Sequence, residues 1–257
     1  MASDMELTPK TDMRNTTVQY HHSGIALGDL LPATFVRRDN RFRIVARLGE
    51  EHILAHLADP GRLRELLISG CTVWLRAATA ASRKTAYDAV LVEAGSQLVS
   101  IHTQLPNALV GQALGARLIP GLDDFTTFSR EVRLDESRID FCLADDQGRH
   151  WVEVKSVTLV LDGVARFPDA PTLRGRRHLR ALQMAVASGD RATVLFVIQR
   201  ADTDALRPND ETDPAFGLAL RQAWAAGVNI RALSCQVTPQ RIVLRPSPVR
   251  IDLSPGV

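Results

Sequence analysis

Two runs of alternating polar and apolar residues flank a polar turn between positions 138 and 157, and no other segment constrains the fold as much. The first run is Arg138-Ile139-Asp140-Phe141-Cys142-Leu143, and the second is Arg149-His150-Trp151-Val152-Glu153-Val154-Lys155-Ser156-Val157. Alternation with period two is the pattern of half-buried strands, and Asp145-Asp146-Gln147-Gly148 between them is turn chemistry. With those four residues as the hairpin loop, Ala144 faces Arg149, and counting outward sets Asp140 opposite Glu153. Ile139, Phe141 and Leu143 then share one face with Val152 and Val154, while Asp140 shares the other with Glu153 and Lys155. Directly opposed side chains stand about 5 Å apart at Cβ. Two carboxylates that close repel each other, and a divalent cation reverses the sign of the interaction; hard oxygen ligands are what Mg²⁺ takes. Lys155, about 7 Å further along the same face, is placed to hold a water or a phosphate oxygen beside such a metal.

This layout resembles the PD-(D/E)xK nuclease superfamily, in which an Asp begins the second strand of a small sheet and Glu-x-Lys sits on the third. Its bland alternative is a solvated hairpin with an ordinary Glu–Lys pair. The surrounding string is more specific. Ser137-Arg138-Ile139-Asp140-Phe141, Val152 through Leu159, Phe167-Pro168-Asp169-Ala170, Arg174-Gly175 and His178-Leu179 closely resemble the sugar fermentation stimulation protein (SfsA) family. Upstream, Arg41-Phe42, His56, Pro60-Gly61 and Pro106-Asn107 continue the likeness, which covers most of the chain from about residue 32. The resemblance implies an N-terminal OB-like β-barrel, a C-terminal α/β domain of the PD-(D/E)xK restriction-endonuclease-like kind and an association with DNA. Three positions depart from the expected pattern. Asp59 stands where Asn is expected, His102 where Asp or Asn is, and the 133–136 loop lacks a Gly.

At 257 residues the chain suits one large domain or two small ones. No apolar run reaches the length of a membrane span, and the first residues lack the apolar core of a secretory signal. Cys71, Cys142 and Cys235 are isolated, which reads as reduced thiols in a cytoplasmic protein rather than a zinc site. Cys142, on the Asp140 face, suits a packing role. The formal net charge of +2 does not by itself point to nucleic acid. The kind of cation is more telling, because only Lys10, Lys84 and Lys155 among 31 basic residues are lysine. A lysine at 155 in so Arg-rich a chain suggests that a compact ammonium is wanted there.

Residues 1–24 read as a disordered polar tail. Residues 25–104 read as the OB-like domain. It has a hairpin turning at Asp39-Asn40, a strand over 51–56, a short helix over 61–68, and strands over 72–77, 86–93 and 98–101. Its arginines, interleaved with Phe42 and Trp74, make Arg37, Arg41, Arg62 and Lys84 candidates for contact with nucleic-acid phosphates. For each aromatic taken alone, a place in the barrel core is the preferred reading. Residues 105–257 read as the nuclease-like domain. A helix over 107–118 precedes a segment over 124–132, either helical or extended, that carries Glu131. In the nuclease superfamily a Glu on the first helix often approaches the metal, so Glu131 is an accessory candidate and a surface Glu the alternative. After the hairpin comes a helix over 171–188 with Leu179, Leu182 and Val186 facing inward. Its exposed side carries Arg174, Arg176, Arg177, His178 and Arg180. Of these, Arg174, Arg177 and His178 are expected at nucleic acid, since cations in the opening turns oppose the helix dipole unless a phosphate favours them. Residues 192–198 read as a buried central strand that presents Gln199, a second accessory candidate, at its carboxyl end. A last helix over 214–226 and strands over 230–237 and 241–244 close the chain. Asp169 comes after Glu-x-Lys, so it is read as a loop residue at the mouth of the site.

The expected function is Mg²⁺- or Mn²⁺-dependent phosphodiester hydrolysis by a DNA-binding protein. Asp140, Glu153 and the Val154 carbonyl hold the metal, and Lys155 completes the catalytic set. The alternatives are a non-catalytic DNA-binding regulator of sugar metabolism genes that keeps the nuclease fold, and a small-molecule hydrolase using the same metal site.

Overall fold

The computed structural model describes residues 24–78 and 83–255. The expected 1–24 tail therefore lies outside the described residues except for Gly24.

The first unit is a β-barrel. Strands β2 (Leu30–Asn40), β3 (Arg43–Leu48), β4 (Glu51–Leu57), β5 (Thr72–Ala77) and β6 (Tyr87–Ala94) follow one another in the order β4-β3-β2-β5-β6. A parallel pairing of β4 with β6 closes the ring, and β7 (Gln97–Ser100) adds to β6. Closure leaves the five barrel strands without a free edge. Strand β2 shifts register between Phe35 and Arg37 and again between Arg38 and Asn40. Such bulges bend a strand, and β2 pairs with β3 along one half and β5 along the other. Ile44, Ala46, Ala55, Leu57, Val73 and Leu75 fill the interior.

Two details of the barrel differ from the sequence expectation. Asn40 pairs with Arg43, so the β2–β3 turn is Arg41-Phe42 rather than Asp39-Asn40. The 61–68 segment is a set of turns, not a helix. Leu63 adopts φ 48° there, outside the helical region. The buried pair Leu63 and Leu66 has helical spacing, but both side chains join the barrel core.

The second unit is a sheet with helices on both faces. Its strand order is β1 (Ile25–Ala26), β16 (Arg241–Pro248), β15 (Asn229–Val237), β13 (Arg191–Ile198), β10 (Gly148–Val157), β9 (Ser137–Asp145) and β8 (Thr127–Leu134). The three central strands β10, β13 and β15 run parallel. Strand β1 belongs to this sheet, so residues 25–26 pair outside the barrel to which the sequence assigned them. The 124–132 segment is extended and becomes edge strand β8. Helix α1 (Leu105–Gly115) and barrel residues such as Val90 and Leu91 cover one face, packing on Phe141, Val152, Leu195 and Val197. Helices α2 (Leu173–Ala187) and α3 (Pro214–Ala225) cover the other, where Leu179, Leu182, Phe216 and Leu220 pack on Trp151, Val194 and Phe196. Strand β13 is thus buried on both sides, as its unbroken apolar run requires. A small sheet of β11 (Val160–Leu161), β12 (Val164–Phe167), β14 (Ala205–Pro208) and β17 (Arg250–Ile251) packs at the end of α3.

Candidate metal and phosphate site

The β9–β10 hairpin has the register that its alternation requires. Ala144 pairs with Arg149 and Phe141 with Val152, with Asp145 and Gly148 also paired around the turn. Gly148 takes φ 110° there, and the Asp145 carboxylate accepts the Gln147 N–H at 2.9 Å. The ladder ends at Phe141–Val152, one step before Asp140 and Glu153. Beyond that point strict alternation fails. Ile139 packs with Trp151 and Val157 in the α2 and α3 core, not with Phe141 and Leu143 as expected. Where the ladder stops, the Val154 N–H donates to Asp140 Oδ2 at 2.8 Å, so a side chain takes the place of a strand partner. Asp140 Oδ1 accepts from Asn107 Nδ2 at 2.6 Å, which ties the carboxylate to the first turn of α1.

Glu153 is 3% exposed, and its two oxygens differ sharply. Oε1 accepts from Lys155 Nζ at 2.5 Å and from His178 Nδ1. Oε2 is buried without any hydrogen-bond partner. Arg174 Nε donates to His178 Nε2 at 3.3 Å, which leaves Nδ1 as the protonated ring nitrogen facing Glu153. Burial raises the Glu153 pKa, but Lys155 and His178 outweigh it and hold the carboxyl down at about 2. Asp140 moves the other way. Burial and the neighbouring Glu153 push it up to about 6, against the opposing pull of the Val154 N–H, Lys155 and Asn107.

Asp140, Glu153, Val154, Lys155, Asp169 and Arg174 line a single cleft of about 360 Å³. Its other wall comes from the barrel, through Asp59, Pro60 and Gly61. Asp59 is buried and is also pushed up to about 6, by desolvation first and by Asp169 in part, while the Gly61 N–H pulls it down. Asp169 Oδ2 accepts the Arg62 N–H at 2.8 Å and so joins the two walls. Among the described residues, no group of three or more His, Cys, Asp and Glu side chains is arranged to hold a metal. What the cleft does bring together is two carboxylates, Asp140 and Glu153, with Val154, the residue after Glu153, also lining it. That suits a hard cation which keeps several waters, as Mg²⁺ does. The unpartnered Glu153 Oε2 is the observation that fits such an ion, because a buried carboxylate oxygen is costly to leave unsatisfied.

The remaining candidates separate. Glu131 stands outside the cleft with its side chain about half exposed, bonded to Arg138 at 2.7 Å, and on strand β8 rather than a helix. Gln199 is fully buried and bridges Ser100 Oγ at 2.8 Å and Ser156 Oγ at 3.0 Å, so it staples the barrel to the sheet and projects into no site. His178 is 5% exposed and faces Glu153 instead of solvent. Arg37, Arg41 and Arg62 line a groove on the barrel together with Arg38 and Arg64. Lys84 is exposed in the β5–β6 loop, away from that groove. Arg177 lines a separate hollow beside Asp135 and Glu136. Phe42 is 48% exposed, so its expected core position is overturned, whereas Trp74 is half-buried and donates to Glu93 at 3.1 Å. Asn107 and the inward role of His178 were missed by sequence reasoning. The Pro106-Asn107 signal marked its position without assigning a contact, and His178 was expected at nucleic acid, whereas its ring is buried and faces Glu153.

Comparison with known proteins follows the same division. Residues 104–241 match the family model described as the sugar fermentation stimulation protein RE domain, and residues 36–101 match the SfsA N-terminal OB domain. A sugar fermentation stimulation protein homolog of Moorella thermoacetica is 46% identical over 227 residues, covering 88% of this chain and 97% of that protein. A homolog of Clostridium perfringens strain 13 is 45% identical over 213 residues, covering 82% and 93%. The structure of Pyrococcus furiosus SfsA in complex with Ca²⁺ superposes with a TM-score of 0.81 at 30% identity, covering 89% of this chain and 98% of that one.

Proposed function

The chain belongs to the sugar fermentation stimulation protein family, and from that premise we propose that it binds DNA and hydrolyses phosphodiester bonds with a divalent cation, Mg²⁺ or Mn²⁺, held by Asp140 and Glu153. The observation that carries the reading is the buried, unpartnered Glu153 Oε2 in the cleft that Asp140 also lines. A relative solved with Ca²⁺ supports a divalent-cation site in proteins of this fold.

The roles of the residues follow from the contacts. Asp140, fixed by Asn107 and the Val154 N–H, presents a carboxylate whose pKa is raised first by burial and then by the neighbouring Glu153 charge, and a cation would offset both. Glu153 offers Oε2 because Lys155 and His178 occupy Oε1. The Val154 carbonyl would be the third donor. The cation, when bound, supplies Lewis-acid polarisation of a phosphoryl oxygen. Lys155 holds its ammonium at the Glu153 carboxylate, where it offsets charge that develops on the phosphate. Arg174, at the cleft and at the opening turn of α2, positions the phosphate without reading sequence.

The test is incubation of the purified protein with single-stranded, duplex and branched DNA in Mg²⁺, Mn²⁺ or chelator. Cleavage that needs metal and is lost in Asp140→Ala supports the reading. DNA binding without cleavage under any of these conditions replaces it with a non-catalytic regulator.

A further inference from the structure

We infer that the arginine groove of the barrel and the carboxylate cleft form one continuous track for single-stranded DNA, with an exposed aromatic platform at its barrel end. The inference deepens the reading of the cleft as a phosphodiester site and names the form of DNA that reaches it.

Three observations carry it. The first is continuity. Pro60 and Gly61 line both the groove and the cleft, so the two hollows meet at one ridge. Arg37, Arg41, Arg62 and Arg64 line the groove on one side of that ridge, and Arg174 lines the cleft on the other. Cations thus follow the path that a phosphate backbone would take.

The second is the fixed geometry of the ridge. The Arg38 guanidinium donates to the carbonyls of Gly61 at 2.6 Å, Arg41 at 2.7 Å, Arg62 at 2.9 Å and Asp59 at 3.0 Å. One half-buried cation therefore welds the β2–β3 turn to the 59–62 loop. On the far side, the Arg62 N–H meets Asp169, and Ser100 meets Gln199 at 2.8 Å. The two walls of the cleft are held together by these bonds. A duplex wedged between them would have to break the bonds, whereas a single strand can bring one backbone at a time along the groove and into the cleft.

The third is Phe42. It sits in the β2–β3 turn at 48% exposure, with its ring 6.5 Å from that of His56 and nearly parallel to it, and with the Arg41 guanidinium 5.8 Å from its centroid. An exposed ring backed by a second ring and flanked by a cation is a stacking platform for an unpaired base. In a duplex the base faces are already stacked on one another, so the platform has nothing to bind. Stacking beside a basic groove is how barrels of this type hold single strands.

The experiment is fluorescence anisotropy in chelator, so that binding is read whether or not the cleft hydrolyses anything. The probes are a labelled single-stranded oligonucleotide of about 12 nucleotides, within the roughly 4–16 that such a barrel occupies, and a blunt duplex of the same length. The single strand should bind at least about 10-fold more tightly. Phe42→Ala should weaken it about 5- to 100-fold, the worth of one stacked base, with no change for the duplex, and Phe42→Trp should restore the affinity. Arg62→Glu on the groove side and Arg174→Glu on the cleft side should each weaken binding of the same strand. Duplex binding equal to or tighter than single-strand binding overturns the inference. So does a Phe42→Ala protein that binds the single strand as the parent does, or an Arg174→Glu protein that does so.

Discussion

Replacing Asp140 by Asn should make the metal-free protein more stable and at the same time abolish its cation site. The carboxyl is pushed up to about 6 from an ordinary 3.8, chiefly by burial and then by Glu153. Each unit is worth about 1.4 kcal/mol, so the folded protein holds the ionised Asp140 at a cost on the order of 3 kcal/mol above pH 6. Between about pH 4 and pH 6 the unfolded chain has lost this proton and the folded chain has kept it. Stability therefore falls as pH rises through that window and levels off above it. An amide has no such dependence. Its oxygen can still accept the Val154 N–H, and its NH₂ can meet Asn107 once that side chain turns its own oxygen inward. We expect a gain of about 2–3 kcal/mol at pH 7.5, or about 5–10 °C in Tm for a chain of this size, and almost no gain at pH 4. Glu153 does not blur the comparison. Its carboxyl is held at about 2, so its contribution is complete above about pH 4.5 and fades only as pH falls further. Thermal unfolding in chelator across pH 4–8 reads the stability, and titration calorimetry with Mn²⁺ reads the site. If Asp140→Asn is destabilised at pH 7.5, or gains equally at pH 4 and pH 7.5, the electrostatic account of the cleft is wrong. If it binds Mn²⁺ as the parent does, Asp140 is not a ligand.

Asp59→Asn should behave in the same way for stability, gaining on the order of 2 kcal/mol near pH 7.5. Burial and Asp169 hold Asp59 at about 6, and an Asn oxygen keeps the 2.7 Å bond from the Gly61 N–H; a loss of stability in thermal unfolding would show that the carboxylate is needed structurally. His178→Leu should weaken Mn²⁺ binding about 10- to 100-fold by releasing Glu153 Oε1, as is usual for a residue that orients a metal ligand. His178→Asn, whose amide nitrogen overlies Nδ1, should recover most of that loss by calorimetry, and a Leu variant with parental affinity removes the positioning role. Lys155→Arg should lower any cleavage rate about 10²- to 10³-fold while DNA binding by anisotropy stays nearly intact, because the planar fork cannot place one compact ammonium on Glu153 Oε1. Equal cleavage by parent and variant would reduce Lys155 to a passive cation.

What the sequence revealed and what it concealed divide along a physical line. Period-two alternation from Arg138 to Val157 set the hairpin register, and pairing of Ala144 with Arg149 agrees with it. The unbroken apolar run at 192–198 marked the strand buried on both faces. In each case the signal lies within one element and repeats, so neighbouring residues corroborate one another. The failures occur where a residue's environment is set by a distant segment. Leu63 and Leu66 have helical spacing, but the barrel interior takes both and the backbone at Leu63 leaves the helical region. His178 sits among arginines on a basic helix, and only the approach of α2 to β10 turns it inward to Glu153.

Asn107 shows why the core of the site was legible and its supports were not. A carboxylate facing a carboxylate is anomalous in any strand pair, and the anomaly is visible in twenty residues of sequence. The groups that make the pair tolerable are unremarkable one by one: an amide on α1, a main-chain N–H freed by the end of a ladder, and a histidine on α2. They come from three elements up to 71 positions apart, and each is satisfied by its contact. Only Glu153 Oε2 is left over. The fold satisfies the other three oxygens of this carboxylate pair, so Glu153 Oε2 is the one with lone pairs still open to a further donor or a cation.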